Sequence, residues 1–230
     1  MNEMLINSAF FGVVITLVCY EIGAWVKRKT NFVLANPLLI AVLLIVAFLL
    51  VFQVDYEAYE NGAKYIQYFL TPATVSLAIP LYRRLELLKK YPAAIFVGIG
   101  AGVLTAMVSI FLMSLIFGLT HTQYVTLLPK SITTAIALGM SEKQGGIIGL
   151  TVVSVSITGI LGNVAAESIC KLFRIQEPIA KGLAIGTSAH ALGTAKAMEL
   201  GEVEGAMSSL SIVVAGIMTV VAIQVFAGLI

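Results

Sequence analysis

Stretches without charge decide what this chain can become. Met4–Tyr20, Thr30–Val54, Tyr65–Tyr82, Tyr91–Pro129, Gln144–Ala166 and Gly205–Ile230 contain no Asp, Glu, Lys or Arg. A helix crosses the hydrocarbon of a bilayer in about 20 apolar residues. Each run is long enough, or nearly so, for one crossing, and Tyr91–Pro129 is long enough for more than one membrane element. A shorter run, Gly182–Ala195, is rich in Gly, Ala and Thr and reads as a broken or re-entrant segment. Apolar residues make up 59% of the chain and charged residues 11%, whereas a soluble domain carries roughly 25% charged residues. The expected fold is therefore an all-α polytopic membrane protein. It has about seven or eight membrane segments, some broken or re-entrant, in a single integral membrane domain over 1–230.

Charge placement gives orientation. Lys27-Arg28-Lys29 and Arg83-Arg84 with Lys89-Lys90 hold seven of the fourteen basic residues. Basic residues prefer cytoplasmic loops, so both clusters are expected inside and the acidic stretch around Asp55, Glu57 and Glu60 outside. The first run has no basic segment before it and reads as a retained helix rather than a signal peptide. A third cluster, Lys171, Arg174 and Lys181, falls outside if 91–118, 122–140 and 145–170 each cross once. A re-entrant segment within 120–143 would bring it inside. Net charge is +2, which gives no reason to expect a nucleic-acid partner. Cys19 and Cys170 sit in or beside apolar runs and read as single buried thiols.

The chain contains a recurring cassette. Ser76–Leu81 resembles Thr133–Leu138 at an offset of 57, and Thr187–Gly193 resembles Thr133–Gly139 at an offset of 54. Internal (inverted) repeats are expected, about 1–118 and 119–230. Repeats with discontinuous helices meeting near the midplane are a transporter device. A broken helix exposes backbone groups that lipid cannot satisfy, so it must line a cavity or be buried in protein. Pro72, Pro80, Gly139, Gly186 and Gly193 are the candidate break points. Close helix packing is the alternative use of such glycines, and Gly182 and Gly186 have the spacing for it.

No metalloprotease, P-loop or nucleophile-elbow signature occurs, and the one Asp is Asp55. No catalytic residues, no metal site and no cofactor are expected, and the chain does not read as an enzyme. What remains is hydroxyls and a few ionisable groups at membrane depth. Ser131, Thr133 and Thr134 form one group, and Thr187, Ser188, His190 and Thr194 another. They are the candidate substrate-binding residues. For His190 the alternative is a neutral imidazole bonded to a neighbouring helix. Glu142, Asn163 and Lys196 are candidates for a gate or coupling site, with a loop, interfacial or snorkelling position as the plainer reading. Hydroxyl donors and exposed helix N-termini suit a small anion such as a carboxylate.

Several ordered motifs resemble the LrgB/CidB family of bacterial antiholin-like membrane proteins. They are Thr71–Tyr82, Thr133–Leu138, Gly145-Gly146, Leu161-Gly-Asn163, Lys171–Ile175, Pro178–His190, Ala191–Thr194, Glu199–Gly201 and Glu204-Gly205. The resemblance runs from about residue 30 onward. Ala135 stands where many relatives have Pro and Ala191 where they have Gly, so kinks at these two points do not carry over. The resemblance implies a multi-pass protein of the bacterial cytoplasmic membrane with a small LrgA/CidA-type membrane partner. It implies transport of small monocarboxylates such as pyruvate or glycolate, linked to control of murein hydrolase activity and autolysis. It also implies an alternative: a holin/antiholin-like regulator of lysis that transports nothing. Small-residue helix faces favour a homo-oligomer, most simply a dimer.

Overall fold

A computed structural model describes residues 8, 10–30, 36–69, 72, 75–76, 78–83 and 85–230. Those residues are helices and turns, with no strand among them. They form two compact units, Met1–Ser76 and Leu77–Ile230.

The first unit holds α1 (Phe11–Thr30), α2 (Pro37–Val51) and α3 (Tyr56–Gln67). Asn36 starts α2 by accepting from the N–H groups of Leu38 and Leu39, and Pro37 sits where no N–H is needed. The stretch with Asp55, Glu57 and Glu60, expected as a loop, opens helix α3 instead. Gly12 of α1 lies so close to the backbone of Tyr59 and Ala63 that a Cβ would collide with both. The Thr16 and Tyr59 hydroxyls meet at 2.9 Å. The single crossing expected over Tyr65–Tyr82 is not one helix among the described residues, since α3 ends at Gln67 and the next element starts at Ala78. Leu70, Thr71, Ala73, Thr74 and Leu77 lie outside the described residues.

The second unit comprises α4 (Ala78–Arg83), α5 (Leu85–Lys90), α6 (Pro92–Phe117), α7 (His121–Leu127), α8 (Thr134–Lys143), α9 (Ile148–Leu172), α10 (Pro178–Leu200) and α11 (Glu202–Phe226), then a 3₁₀ turn, Ala227–Leu229. Among the described residues, three helices are long and apolar enough to cross a membrane: Pro92–Phe117, Ile148–Leu172 and Glu202–Leu229. Helix α6 begins on Pro92 and stops at left-handed Gly118; α7 starts with a reciprocal Thr120–Gln123 capping box.

Two segments double back. Helices α7 and α8 form the first hairpin. Thr126, near the end of α7, donates its hydroxyl to the Thr122 carbonyl at 2.6 Å and accepts the Ile147 N–H at 2.8 Å. Thr151 of α9 donates to Ser141 Oγ at 2.6 Å, tying the exit of α8 to the same point. The chain thus leaves Thr126, turns through 128–133, and returns beside it.

Helix α10 is the second hairpin. Its backbone breaks at Ala189 (φ −131°, ψ 16°) and His190 (φ 42°, ψ −137°). In a straight helix, residues eight apart stand about 12 Å apart. Here a Cβ on Gly193 would meet the Ile185 carbonyl oxygen at 3.0 Å. Lys181 and Leu200 likewise line one small pocket, although 19 residues of straight helix would separate them by about 28 Å. The first arm (178–188) and the second arm (191–200) therefore lie side by side.

The hairpins enter the unit from opposite ends. Tyr124 of α7 donates to the Phe226 carbonyl at the end of α11, whereas Gly182 of α10 packs against Glu204 at its start. One core cluster joins them: Ile95, Ile99, Val103 and Met107 of α6, Tyr124 and Val125 of α7, Leu183 of α10, and Met207 and Ile223 of α11.

The break falls at none of the five expected positions. Gly139 lies inside α8 with open space around it. Gly186 is helical and faces Ser208, whose carbonyl oxygen a Cβ would strike. Gly193 lies in the second arm, pressed on Ala189 and Ile185. These two serve close packing, the alternative use of small residues. Pro80 is helical, in Ala78–Arg83, and Leu77 before that element lies outside the described residues. Pro72 is helical, with neighbours outside the described residues.

Candidate functional site

A cavity of about 910 Å³ lies between α6, the first arm of α10 and the tip of the α7–α8 hairpin. Helix α6 contributes Ala94, Gly98, Gly102 and Ala106 at every fourth position, plus Thr105. Residues four apart share a helix face, so α6 presents a strip of near-bare backbone. Added side chains at Gly98 and Gly102 would meet Leu183 and Thr187. Equal steps along both helices mean that they run in the same direction. The opposite wall comprises Ile179, Ala180, Leu183, Ala184, Thr187 and Ser188.

The two ends of the cavity differ in chemistry. Tyr91 and Glu177, which precede α6 and α10, line one end. Lys130 and Ser131 from the hairpin tip join Thr187 and Ser188 at the other. Ten residues of helix put Glu177 about 15 Å from Thr187 along the first arm.

At the inner end, donors outnumber acceptors. The Lys130 ammonium donates to Ser131 Oγ at 3.2 Å, and no carboxylate among the described residues pairs with it. Because Ser131 accepts that bond, its own O–H stays free to donate. The Ser188 and Thr105 hydroxyls donate back to Ala184 and Ala101 carbonyls at 2.8 and 2.7 Å. Thr187 Oγ1 is buried and has no hydrogen-bond partner among the described residues. A buried hydroxyl without a partner costs roughly 1–3 kcal/mol, and an acceptor entering the cavity would remove that cost.

Other candidate residues support the hairpins. His190 is 5% exposed, with Nε2 3.1 Å from the Val155 carbonyl of α9. A carbonyl only accepts, so Nε2 carries the proton. Thr194 donates to the His190 carbonyl at 2.9 Å and meets Ser208 Oγ at 2.7 Å. Asn163 Nδ2 donates to the Leu192 carbonyl at 2.6 Å. These bonds hold the broken backbone of α10 against α9 and α11, and neither His190 nor Thr194 lines the cavity. Thr133 and Thr134 begin α8 at the other hairpin tip, also off the cavity wall.

Glu142 is exposed near the end of α8. Lys196 bridges Glu199 at 2.9 Å and Glu167 at 3.7 Å, so it belongs to an ion-pair cluster at the mouth of the second hairpin. Of the seven expected binding residues, Ser131, Thr187 and Ser188 therefore share one end of the cavity. Lys130, Glu177 and the α6 strip were not singled out by sequence. The signal for Lys130 was available: it directly follows Pro129 and precedes Ser131, at the edge of the cassette. Among the described residues, no group of three or more His, Cys, Asp or Glu side chains could hold a metal ion.

The LrgB-like family profile matches residues 16–229. "Antiholin-like protein LrgB" of Bacillus cereus (strain B4264) is 40% identical over 220 residues, covering 95% of this chain and 96% of the relative. The protein of the same name in Bacillus anthracis (strain A0248) aligns with the same identity and coverage. No solved structure matches the chain.

Proposed function

We propose that this chain, which belongs to the LrgB-like family, is a membrane transporter, or the main subunit of one, for small monocarboxylates such as pyruvate or glycolate. The observation that carries the reading is the cavity beside a broken helix, with an unpaired lysine and an unpartnered threonine hydroxyl at its inner end. Broken helices at bilayer depth are tolerated where they face protein or a wet cavity. They place polar backbone and side chains where a substrate crosses. An apolar-walled chamber of this size holds a C2–C4 carboxylate with room for its water.

The same arrangement supports the repeat in a revised form. α6 followed by the α7–α8 hairpin is one module, and α9 followed by the α10 hairpin is its inverted partner. The hairpins are then re-entrant elements entering from opposite faces of a bacterial cytoplasmic membrane. With α1, α2, α6, α9 and α11 they make seven membrane segments, and the uncharged run Tyr65–Tyr82 is expected from sequence to add an eighth. In this topology Lys171, Arg174 and Lys181 share the cytoplasmic face with Lys89 and Lys90, as the preference for basic residues inside requires. A small LrgA/CidA-type partner and a homodimer complete the assembly we envisage.

Uptake of labelled pyruvate into proteoliposomes, with and without the small partner, tests the reading. Saturable uptake competed by glycolate is expected. Absence of flux for every C2–C4 carboxylate under proton and sodium gradients would end it. A second reading rests on the names of the relatives: an antiholin-like regulator that restrains lysis without moving a substrate. It predicts an autolysis phenotype that survives in variants that have lost carboxylate flux, whereas the transport reading predicts that phenotype and flux fall together.

A further inference from the structure

We infer that Lys130 and Thr187 grip the carboxylate of a singly charged ligand at the inner end of the cavity, while Glu177 at the other end selects against a second negative charge. The inference rests on the transport reading for its substrate class, but it concerns which residues hold the ligand and what net charge they admit.

The inner end of the cavity holds unused hydrogen-bonding capacity. Lys130 has three N–H donors and one observed partner, the Ser131 hydroxyl. A desolvated ammonium facing only a hydroxyl lacks a counter-charge, and charge-assisted bonds to a carboxylate are about twice as strong as neutral ones. Thr187 supplies the second, independent observation. It is 6% exposed, lines the same cavity, and its Oγ1 has no partner. Neighbouring helical hydroxyls satisfy themselves on the carbonyl one turn back, as Ser188 and Thr194 do; Thr187 does not. Lys130, Ser131 and Thr187 together offer several donors to a small acceptor, and among the described residues no acidic side chain shares that end.

The outer end is the opposite. Glu177 lines the cavity, caps no backbone N–H with its side chain, and makes no ion pair among the described residues. A C4 dicarboxylate gripped at Lys130 would hold its second charge among mostly Gly, Ala, Leu and Ile, with the Thr105, Ser188 and Tyr91 hydroxyls as the other polar groups, under the repulsion of Glu177. Among the described residues no second cation lines the cavity. Monocarboxylates avoid both costs.

Equilibrium binding of labelled pyruvate and succinate to purified full-length protein, run beside proteoliposome flux, tests this. Lys130→Met should weaken pyruvate binding by roughly tenfold to a hundredfold, the range of a lost charge-assisted bond, and Lys130→Arg should retain most of it. Thr187→Val, nearly the same shape, should weaken binding several-fold, and it carries the test if Lys130→Met does not purify as a folded protein. Glu177→Lys should give succinate binding that the parent lacks. Pyruvate affinity unchanged in Lys130→Met or Thr187→Val overturns the assignment, as does succinate bound as tightly as pyruvate by the parent. Pyruvate flux that persists with an unchanged KM in Lys130→Met refutes this site and leaves the transport reading standing. A parent that neither binds nor moves any carboxylate refutes the transport reading itself.

Discussion

Replacing Gly186 with Ala adds a single methyl group at the point where α10 and α11 come closest. A Cβ there would lie 2.7 Å from Ser208 Cα and 2.8 Å from Ser208 Oγ, with the Ser208 carbonyl oxygen nearer still. Carbon atoms rest at about 3.5–4.0 Å, so the helices must separate by roughly 1 Å. The obstructing atoms are mostly helical backbone and cannot rotate away. Overpacking of this kind costs about 1–3 kcal/mol, against which Ala gains about 1 kcal/mol over Gly in a helix. A net loss of up to about 2 kcal/mol follows. Gly139→Ala is the matched control, because a Cβ there meets nothing within 4 Å and only the helical gain remains. Thermal unfolding of both variants in one detergent should place Gly186→Ala below the parent and Gly139→Ala at or above it. Equal stability of the two would refute the close approach of α10 and α11.

Two further outcomes follow from the hairpins. His190 holds φ 42° without being glycine, a strained conformation worth about 1–3 kcal/mol; His190→Gly relieves it and His190→Ala does not. Both lose the bond to Val155, so His190→Gly should be the more stable by at least about 1 kcal/mol, measured by the same unfolding assay. In a cysteine-free background, Lys143→Cys should react with a membrane-impermeant thiol reagent from outside and Arg174→Cys only from inside. The reverse pattern, or labelling of both from one face, would overturn the proposed topology.

Most of the helical framework was legible in charge spacing alone. The runs 91–118 and 205–230 became α6 and α11, and the basic clusters pointed to a doubled-back element within 120–143. The position of the α10 break was not legible, because it occurs at Ala189–His190 rather than at a helix-breaking residue. Its cause is tertiary: Thr194, Asn163 and Val155 hold the turn from outside, and no local propensity records those bonds. The nearby glycines drew the eye for the right chemical reason and the wrong role, since they admit neighbouring helices. The role of helix α6 was not legible either, because a strip of Ala and Gly one turn apart signals close approach without saying whether a helix or a chamber lies opposite, and here it faces both. Lys130 was hidden by its position, where a charge that ends an apolar run reads as a loop residue until the hairpin is seen to carry it inward.

The central claim is that a carboxylate passes through the chamber between α6 and the first arm of α10. Ala184 is exposed on its wall and makes a direct probe. Ala184→Cys, in a protein with Cys19 and Cys170 replaced, should be alkylated in proteoliposomes. Pyruvate should slow that alkylation, and the modified protein should lose pyruvate flux. Full alkylation that leaves flux intact, or that proceeds at the same rate with and without pyruvate, would contradict the account.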